Sequence, residues 1–102
     1  MDRLTRLRLF LEHDPDDLFT RFAIALELVK AADDQQACTT FQDILLRDPG
    51  YIGAYLHLGK CLERLGRAAE ARDTYIRGID SARLTKDPHA ASELTGALDE
   101  LD

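Results

Sequence analysis

Residues 48–78 read DPGYIGAYLHLGKCLERLGRAAEARDTYIRG and are predicted to form two helices that meet at Gly66. Each helix carries small or apolar residues at the three- and four-residue spacing of one helix face. These two faces consist of Tyr55, Leu58, Gly59 and Leu62, and of Ala71, Tyr75, Gly78 and Ile79. Glycine inside a helix costs about 1 kcal/mol relative to alanine. Gly59 and Gly78 therefore indicate places where a neighbouring helix approaches closely.

The same pattern occurs earlier in the chain, and a constant number of residues separates the two copies. Arg21 is the earlier equivalent of Tyr55, and Phe41 is that of Tyr75. Its members are Arg21, Ile24, Ala25, Leu28, Ala37, Phe41 and Ile44. The dipeptide Asp48-Pro49 has an earlier equivalent at the same offset, Asp14-Pro15. A repeat of about 34 residues is typical of stacked helical hairpins.

This recurrence resembles the tetratricopeptide pattern, in which a large apolar residue, Leu-Gly, a further apolar residue, Ala, an aromatic residue and Pro follow at set spacings. The residues of 48–78 that match are Tyr55, Leu58-Gly59, Leu62, Ala71 and Tyr75. The earlier copy departs at Arg21, where the family usually has a large apolar residue. The resemblance implies an all-α fold, a right-handed stack of antiparallel helical hairpins with about six helices.

The 102 residues are long enough for a single domain with a modest core. Asp87-Pro88 follows Asp48-Pro49 at a longer offset than Asp48-Pro49 follows Asp14-Pro15, and no Pro or Gly lies between Gly78 and Asp87. We therefore expect a lengthened second helix in the second repeat. The expected units are a half-repeat helix (2–13), repeat one (14–47), repeat two (48–86) and a terminal capping helix (87–102).

The ends of the helices also have sequence signals. We expect the segment Asp14-Pro15-Asp16-Asp17 to start the first helix of repeat one, which spans 17–31, because Asp favours the cap and Pro the first helical position. Asp33 and Gln36 resemble a capping box for the next helix. In the half-repeat helix, one apolar face is predicted from Leu4, Leu7, Phe10 and Leu11.

Composition and charge exclude several classes of partner. The formal net charge of −6 argues against a nucleic-acid partner, which needs a basic face. No apolar run approaches the roughly 18 residues of a membrane span. The N-terminal residues lack a signal-peptide cleavage site, so a cytoplasmic location is expected.

Cys38 and Cys61 lie beside apolar faces without metal-ligand spacing and are interpreted as buried thiols.

Nothing in the sequence indicates catalysis. His13, His57 and His89 fall in different segments, and no nucleophile, glycine-rich loop or paired carboxylate motif accompanies them. We therefore expect a non-enzymatic protein without a cofactor or metal.

The first helix of repeat one carries a second apolar stripe, formed by Phe19, Phe22, Leu26 and Val29. It lies roughly 130° around the helix from the stripe that stacking requires. The resemblance implies that the first helices line a concave groove, which holds an extended peptide or a helix, and that these four residues face it. They are the predicted apolar part of the partner-binding site.

The equivalent face of repeat two is mostly polar. It adds Leu56, His57, Lys60 and Arg64 to the predicted site, with Lys30 across the groove. This basic spot would attract a carboxylate-rich segment, or it is a solvated face that Glu63 partly neutralises. Some tetratricopeptide domains bind the acidic carboxyl-terminal tails of chaperones through a clamp of Lys, Asn and Arg side chains. In this sequence, Phe22 and Leu26 stand where the clamp has polar residues, and His57 replaces its Asn. We therefore do not predict chaperone-tail binding.

Two functions follow. The first is a protein-interaction module that binds a peptide or helix of a partner protein in the groove. The alternative is a homo-oligomer, such as a homodimer, in which the apolar stripe meets its own copy. In a third interpretation, the N-terminal helix covers the stripe with its apolar residues Leu9 and Leu11 and makes it ordinary core.

Overall fold

The computed structural model describes residues 1–101 and contains, in that range, only α-helices as regular structure. They are α1 (Arg3–His13), α2 (Leu18–Lys30), α3 (Asp34–Arg47), α4 (Gly53–Arg64), α5 (Ala68–Leu84) and α6 (Pro88–Leu101). Each helix packs on the next, and α4 also contacts α6. Short turns make α2–α3 and α4–α5 antiparallel hairpins. The predicted all-α stack of six helices is confirmed for these residues.

The core lies between the hairpins and depends on close helix approach. The side chains of Phe41, Ile44, Leu62 and Tyr75 are fully buried. A Cβ atom on Gly59 would lie 2.1 Å from the Tyr75 ring, and one on Gly78 would lie 2.7 Å from the Cβ of Tyr55. Both glycines are therefore needed for close packing, as the sequence indicates.

The three Asp-Pro dipeptides have different structural roles. Asp87 accepts a hydrogen bond from the backbone N–H of Ala90 (3.0 Å), and Pro88 is the first residue of α6. In contrast, α2 begins at Leu18 and is capped by Asp17, whose carboxylate accepts from the N–H of Phe19. The predicted helix over 17–31 is confirmed to within one residue at each end, but its cap is Asp17 and not Asp14, because Asp14-Pro15 lies in the preceding turn.

Arg21 replaces a large apolar residue without leaving its place empty. Its guanidinium donates to the carbonyl oxygen of Pro15 (Nη2, 2.7 Å), just as the hydroxyl of Tyr55 donates to that of Pro49 (2.5 Å). Arg21 also pairs with Asp43 of α3 (3.0 Å). The arginine thus keeps the hydrogen bond that Tyr55 makes at the equivalent position of the next repeat.

The packed face of α1 is narrower than predicted. Leu4, Leu7 and Leu11 pack against the core, but the Phe10 side chain is 67% exposed. Phe10 is displaced about 100° around the helix from Leu11 and so lies beside the surface that meets α2. The sequence prediction for Phe10 is therefore wrong.

The cysteines agree with their predicted role. Cys38 and Cys61 are buried free thiols, and burial raises the pKa of each.

Within residues 1–101, no helix has both the length and the apolar character needed to cross a membrane.

Candidate functional site

The predicted apolar stripe on α2 divides into three environments. Phe19 is 72% exposed, whereas Leu26 and Val29 are partly buried against the core. Phe22 is also partly buried, in an aromatic cluster. Phe19 stays exposed, so α1 does not cover this end of the stripe. An ion pair joins Arg3 of α1 to Glu27 of α2 (2.9 Å).

Phe22 fills the contact between α2 and α4, which we call the first seam. Its ring centroid lies 5.8 Å from that of Phe41, 5.4 Å from Tyr51 and 5.6 Å from His57. A Cβ atom on Gly53 would lie 3.4 Å from its Cζ atom. Offset and edge-on aromatic pairs of this kind are stabilising beyond the area they bury. Phe22 is therefore a packing residue whose exposed edge alone is free for a partner.

His57 belongs to the same cluster rather than to a polar surface. Its ring stacks on Phe41 with 5.7 Å between centroids and 11° between planes. Burial lowers the pKa of His57, Arg64 lowers it further, and Glu93 acts in the opposite direction. His57 is thus a mainly neutral aromatic contact near pH 7.

The predicted basic spot is internally compensated. Lys30 lies 3.7 Å from Glu27, Lys60 lies 3.8 Å from Glu63 and 3.9 Å from Glu100, and Arg64 lies 3.0 Å from Asp34, measured between nitrogen and carboxylate oxygen. Each of the three cations therefore already has a carboxylate beside it. Of the two interpretations that the sequence leaves open, these ion pairs agree with the partly neutralised, solvated face, and Glu63 is one of the neutralising residues.

A cleft of about 200 Å³ lies between α4 and α6, and we call it the α4–α6 cleft. It is lined by Ile52, Gly53, Leu56, His57, Ala90, Glu93 and Leu94. The sequence predicts Leu56 and His57 as site residues. It does not predict the three residues of α6, because it indicates only a capping role for that helix. The sequence does contain a signal for these α6 residues. If Asp87-Pro88 is aligned with Asp48-Pro49, α6 becomes the equivalent of α4 in the next repeat.

That offset explains why the cleft exists. We call the α4–α6 contact the second seam. Aligning Asp14-Pro15 with Asp48-Pro49 relates α2 to α4, and aligning Asp48-Pro49 with Asp87-Pro88 relates α4 to α6, so the residues of the two seams correspond. The pairs are Phe19 with Gly53, Phe22 with Leu56, Tyr51 with Ala90, and Ala54 with Glu93. The two rings that pack in the first seam, those of Phe22 and Tyr51, are thus replaced by smaller side chains, which leaves the second seam open.

Among residues 1–101, no group of His, Cys, Asp and Glu side chains has the arrangement of a metal site. His89 and Glu93 lie 3.1 Å apart, but both side chains are exposed.

Comparison with known proteins identifies the fold. A tetratricopeptide repeat family model matches residues 53–77, which cover α4 and most of α5. A TPR repeat-containing protein of Pseudomonas aeruginosa is 30% identical over 87 residues, which are 85% of this chain and 83% of that protein.

Solved structures agree with this relation. A tetratricopeptide repeat domain protein from Salinibacter ruber is 42% identical, with a TM-score of 0.82 over 87% of this chain and 90% of its own. A protein from Bordetella parapertussis is 27% identical, with a TM-score of 0.87 over 99% of this chain and 88% of its own. The chain belongs to the tetratricopeptide repeat family.

Proposed function

We propose that this protein is a non-enzymatic interaction module that binds a peptide or a helix of a partner protein on the face formed by α2, α4 and α6. The observation that carries the proposal is Phe19, a large apolar side chain left 72% exposed on α2. Exposed aromatic residues beside partly buried apolar ones are typical of protein-binding surfaces. Tetratricopeptide repeat proteins in general bind protein partners, which agrees with this use.

The predicted site residues then have separate roles. Phe19 and Leu26 offer the apolar contact, while Phe22 and Val29 shape the surface beneath it. Leu56 and His57 line the α4–α6 cleft. The ion-paired cations Lys30, Lys60 and Arg64 form a polar border that gives direction more than affinity, because exposed charges contribute little to binding.

A peptide-display selection tests this proposal. The immobilised protein is used to enrich peptides from a random library, and enriched peptides are then measured against a Phe19→Asp variant. Loss of a buried aromatic anchor weakens binding by about tenfold or more. Leu46→Asp is the matched control, because Leu46 is an apolar side chain of α3 that is 83% exposed. Enriched peptides that bind Phe19→Asp as well as the unmodified protein would refute the proposed surface.

The same exposure of Phe19 also favours a second candidate function, self-association through the apolar stripe. Light scattering over a range of protein concentrations separates the two functions. A mass that rises with concentration and returns to that of a monomer in Phe19→Asp, but not in Leu46→Asp, would support assembly. A monomer throughout the range would remove this alternative.

A further inference from the structure

We propose that the α4–α6 cleft receives one aromatic side chain of the partner, and that an adjacent lysine or arginine of the same partner pairs with Glu93. This inference rests on the proposed function and states which peptides the surface selects. It follows from the size of the cleft, from its walls and from the charges around it.

The cleft has the size of one ring. It measures about 200 Å³, whereas a cavity of about 150 Å³ is sufficient to bind benzene. Pockets that hold whole small-molecule ligands or cofactors are larger, about 300–1,000 Å³. The volume therefore matches that of one aromatic side chain.

The relation between the seams indicates what fills such a space. In the first seam, the rings of Phe22 and Tyr51 lie 5.4 Å apart and close the contact between helices. Their equivalents in the second seam are Leu56 and Ala90, so the volume of a ring is missing there. His57 supplies an aromatic wall in both seams. An incoming ring would restore in the second seam the aromatic contact that the first seam contains.

The charges select a basic neighbour for this ring. Glu93 stands where the first seam has Ala54, and its side chain is 50% exposed. It lies beside His89, which carries a charge only when protonated. Lys60 and Arg64 on the same face already pair with carboxylates of the chain. A cation of the partner therefore finds Glu93 available, whereas a carboxylate finds its possible partners engaged, in a protein of net charge −6.

A tryptophan-containing peptide is a direct probe, because the protein itself has no tryptophan. The capped peptide Gly-Ser-Trp-Arg-Ser-Gly is titrated to about 5 mM, the range of a single-anchor contact, and its emission maximum is followed. We expect a saturable blue shift as the indole leaves water. The same peptide with Glu in place of Arg should bind more weakly, and the peptide with Ala in place of Trp should not compete.

Three variants locate the contact. Ala90→Tyr fills the cleft and should weaken probe binding about tenfold or more, whereas Ala68→Tyr, at an exposed position of α5, should not change it. Glu93→Gln should weaken the Arg peptide about threefold, as expected for an exposed ion pair, and spare the Glu peptide. Glu93→Gln removes only a charge, so it gives a result even if Ala90→Tyr disturbs the fold.

The possible failures are distinguishable. No saturable shift, or equal binding to Ala90→Tyr and Ala68→Tyr, overturns the inference. Display-selected peptides that require Phe19 but bind Ala90→Tyr normally also overturn it and leave the proposed function intact. A selection that yields no Phe19-dependent peptide overturns both. A preference for the Glu peptide would reverse the assignment of the partner's charge.

Discussion

The first and second seams occupy equivalent places in the stack, but only the first is filled. Phe22 closes the α2–α4 contact with three other rings, whereas its equivalent Leu56 lines an open cleft beside Ala90. The positions that hold the hairpins together are buried in both repeats, as Ala25 and Gly59 illustrate. Residues that stack the helices are therefore retained, while those on the shared face of α2, α4 and α6 vary. The α4–α6 cleft lies where the packing residues are small.

The open seam does not detach α6, because α5 holds it from the other side. Leu94 is almost fully buried, and a Cβ atom on Gly78 of α5 would lie 3.0 Å from its Cδ1 atom. α5 is longer than α4, with 17 residues against 12, and continues beyond Gly78 to Leu84. The longer helix thus supports α6 independently of the cleft.

The largest expected effect compares the two seams by truncation. Phe22→Ala should lower the free energy of unfolding by about 2–3 kcal/mol, somewhat less than a fully buried Phe→Ala change, because three ring contacts are lost. Leu56→Ala, at the equivalent position, should cost about 1 kcal/mol or less because its side chain borders an open space. Urea unfolding of both variants measures the difference. Equal costs would mean that the seams are packed alike.

A smaller effect is expected from the glycine that brings α4 and α5 together. Gly59→Ala should destabilise the protein by about 1–2 kcal/mol, since a new Cβ atom meets the buried Tyr75 ring and overpacking outweighs the better helix propensity. Gly96→Ala is the control, because nothing lies within 4 Å of its added Cβ. That variant should gain up to about 1 kcal/mol in thermal or urea unfolding. Stabilisation by Gly59→Ala would contradict the close approach of the hairpin.

The difference between the two seams can also be removed by substitutions that fill the second seam. The double variant Leu56→Phe/Ala90→Tyr places in the second seam the aromatic pair of the first. Cavity filling and ring contact should raise the unfolding free energy by about 1 kcal/mol, while the Trp-Arg peptide should no longer bind. Calorimetry and the fluorescence titration test both results on one sample. A stable double variant that still binds the peptide would place the contact elsewhere.

The smallest effect concerns pH. Burial lowers the pKa of His57, so the unfolded chain, with a histidine pKa near 6.5, takes up a proton more readily than the folded protein. The contribution of the neutral His57 to the free energy of unfolding should therefore be fully present above about pH 6.5 and should decline as the pH falls below that value. His57→Gln should remove this component of the decline, whereas His89→Gln, at an exposed position, should retain it. Identical pH profiles for all three proteins would contradict the buried, neutral state of His57.

Much of the fold can be predicted because the residues that recur between the two repeats are those that become buried. The constant offset between the two copies relates Phe41 to Tyr75, and both are fully buried. Gly59 and Gly78 indicate a close helix approach from the sequence alone, because glycine inside a helix is otherwise unfavourable. Phe10 and Asp14 were misplaced because helix periodicity and capping preference leave the edge of a face and the length of a turn undetermined.

Less of the candidate site was predictable, for physical reasons. A stripe of apolar residues does not reveal that Phe22 packs across the first seam while Phe19 stays in solvent. Ion pairs between distant helices, such as Arg64 with Asp34, depend on tertiary placement and neutralise a cluster that looks basic in sequence. The α4–α6 cleft comes from missing volume, which becomes visible only when equivalent residues are compared across the seams.

The most direct test of the binding face is an NMR titration of the isotope-labelled protein with a display-selected peptide. If the face of α2, α4 and α6 binds the partner, amide shifts should concentrate around Phe19, Leu26, Leu56 and Ala90, and should be small around Leu46 on α3 and Ile76 on α5. Shifts concentrated on α3 and α5, with those near Phe19 and Leu56 unchanged, would contradict this assignment.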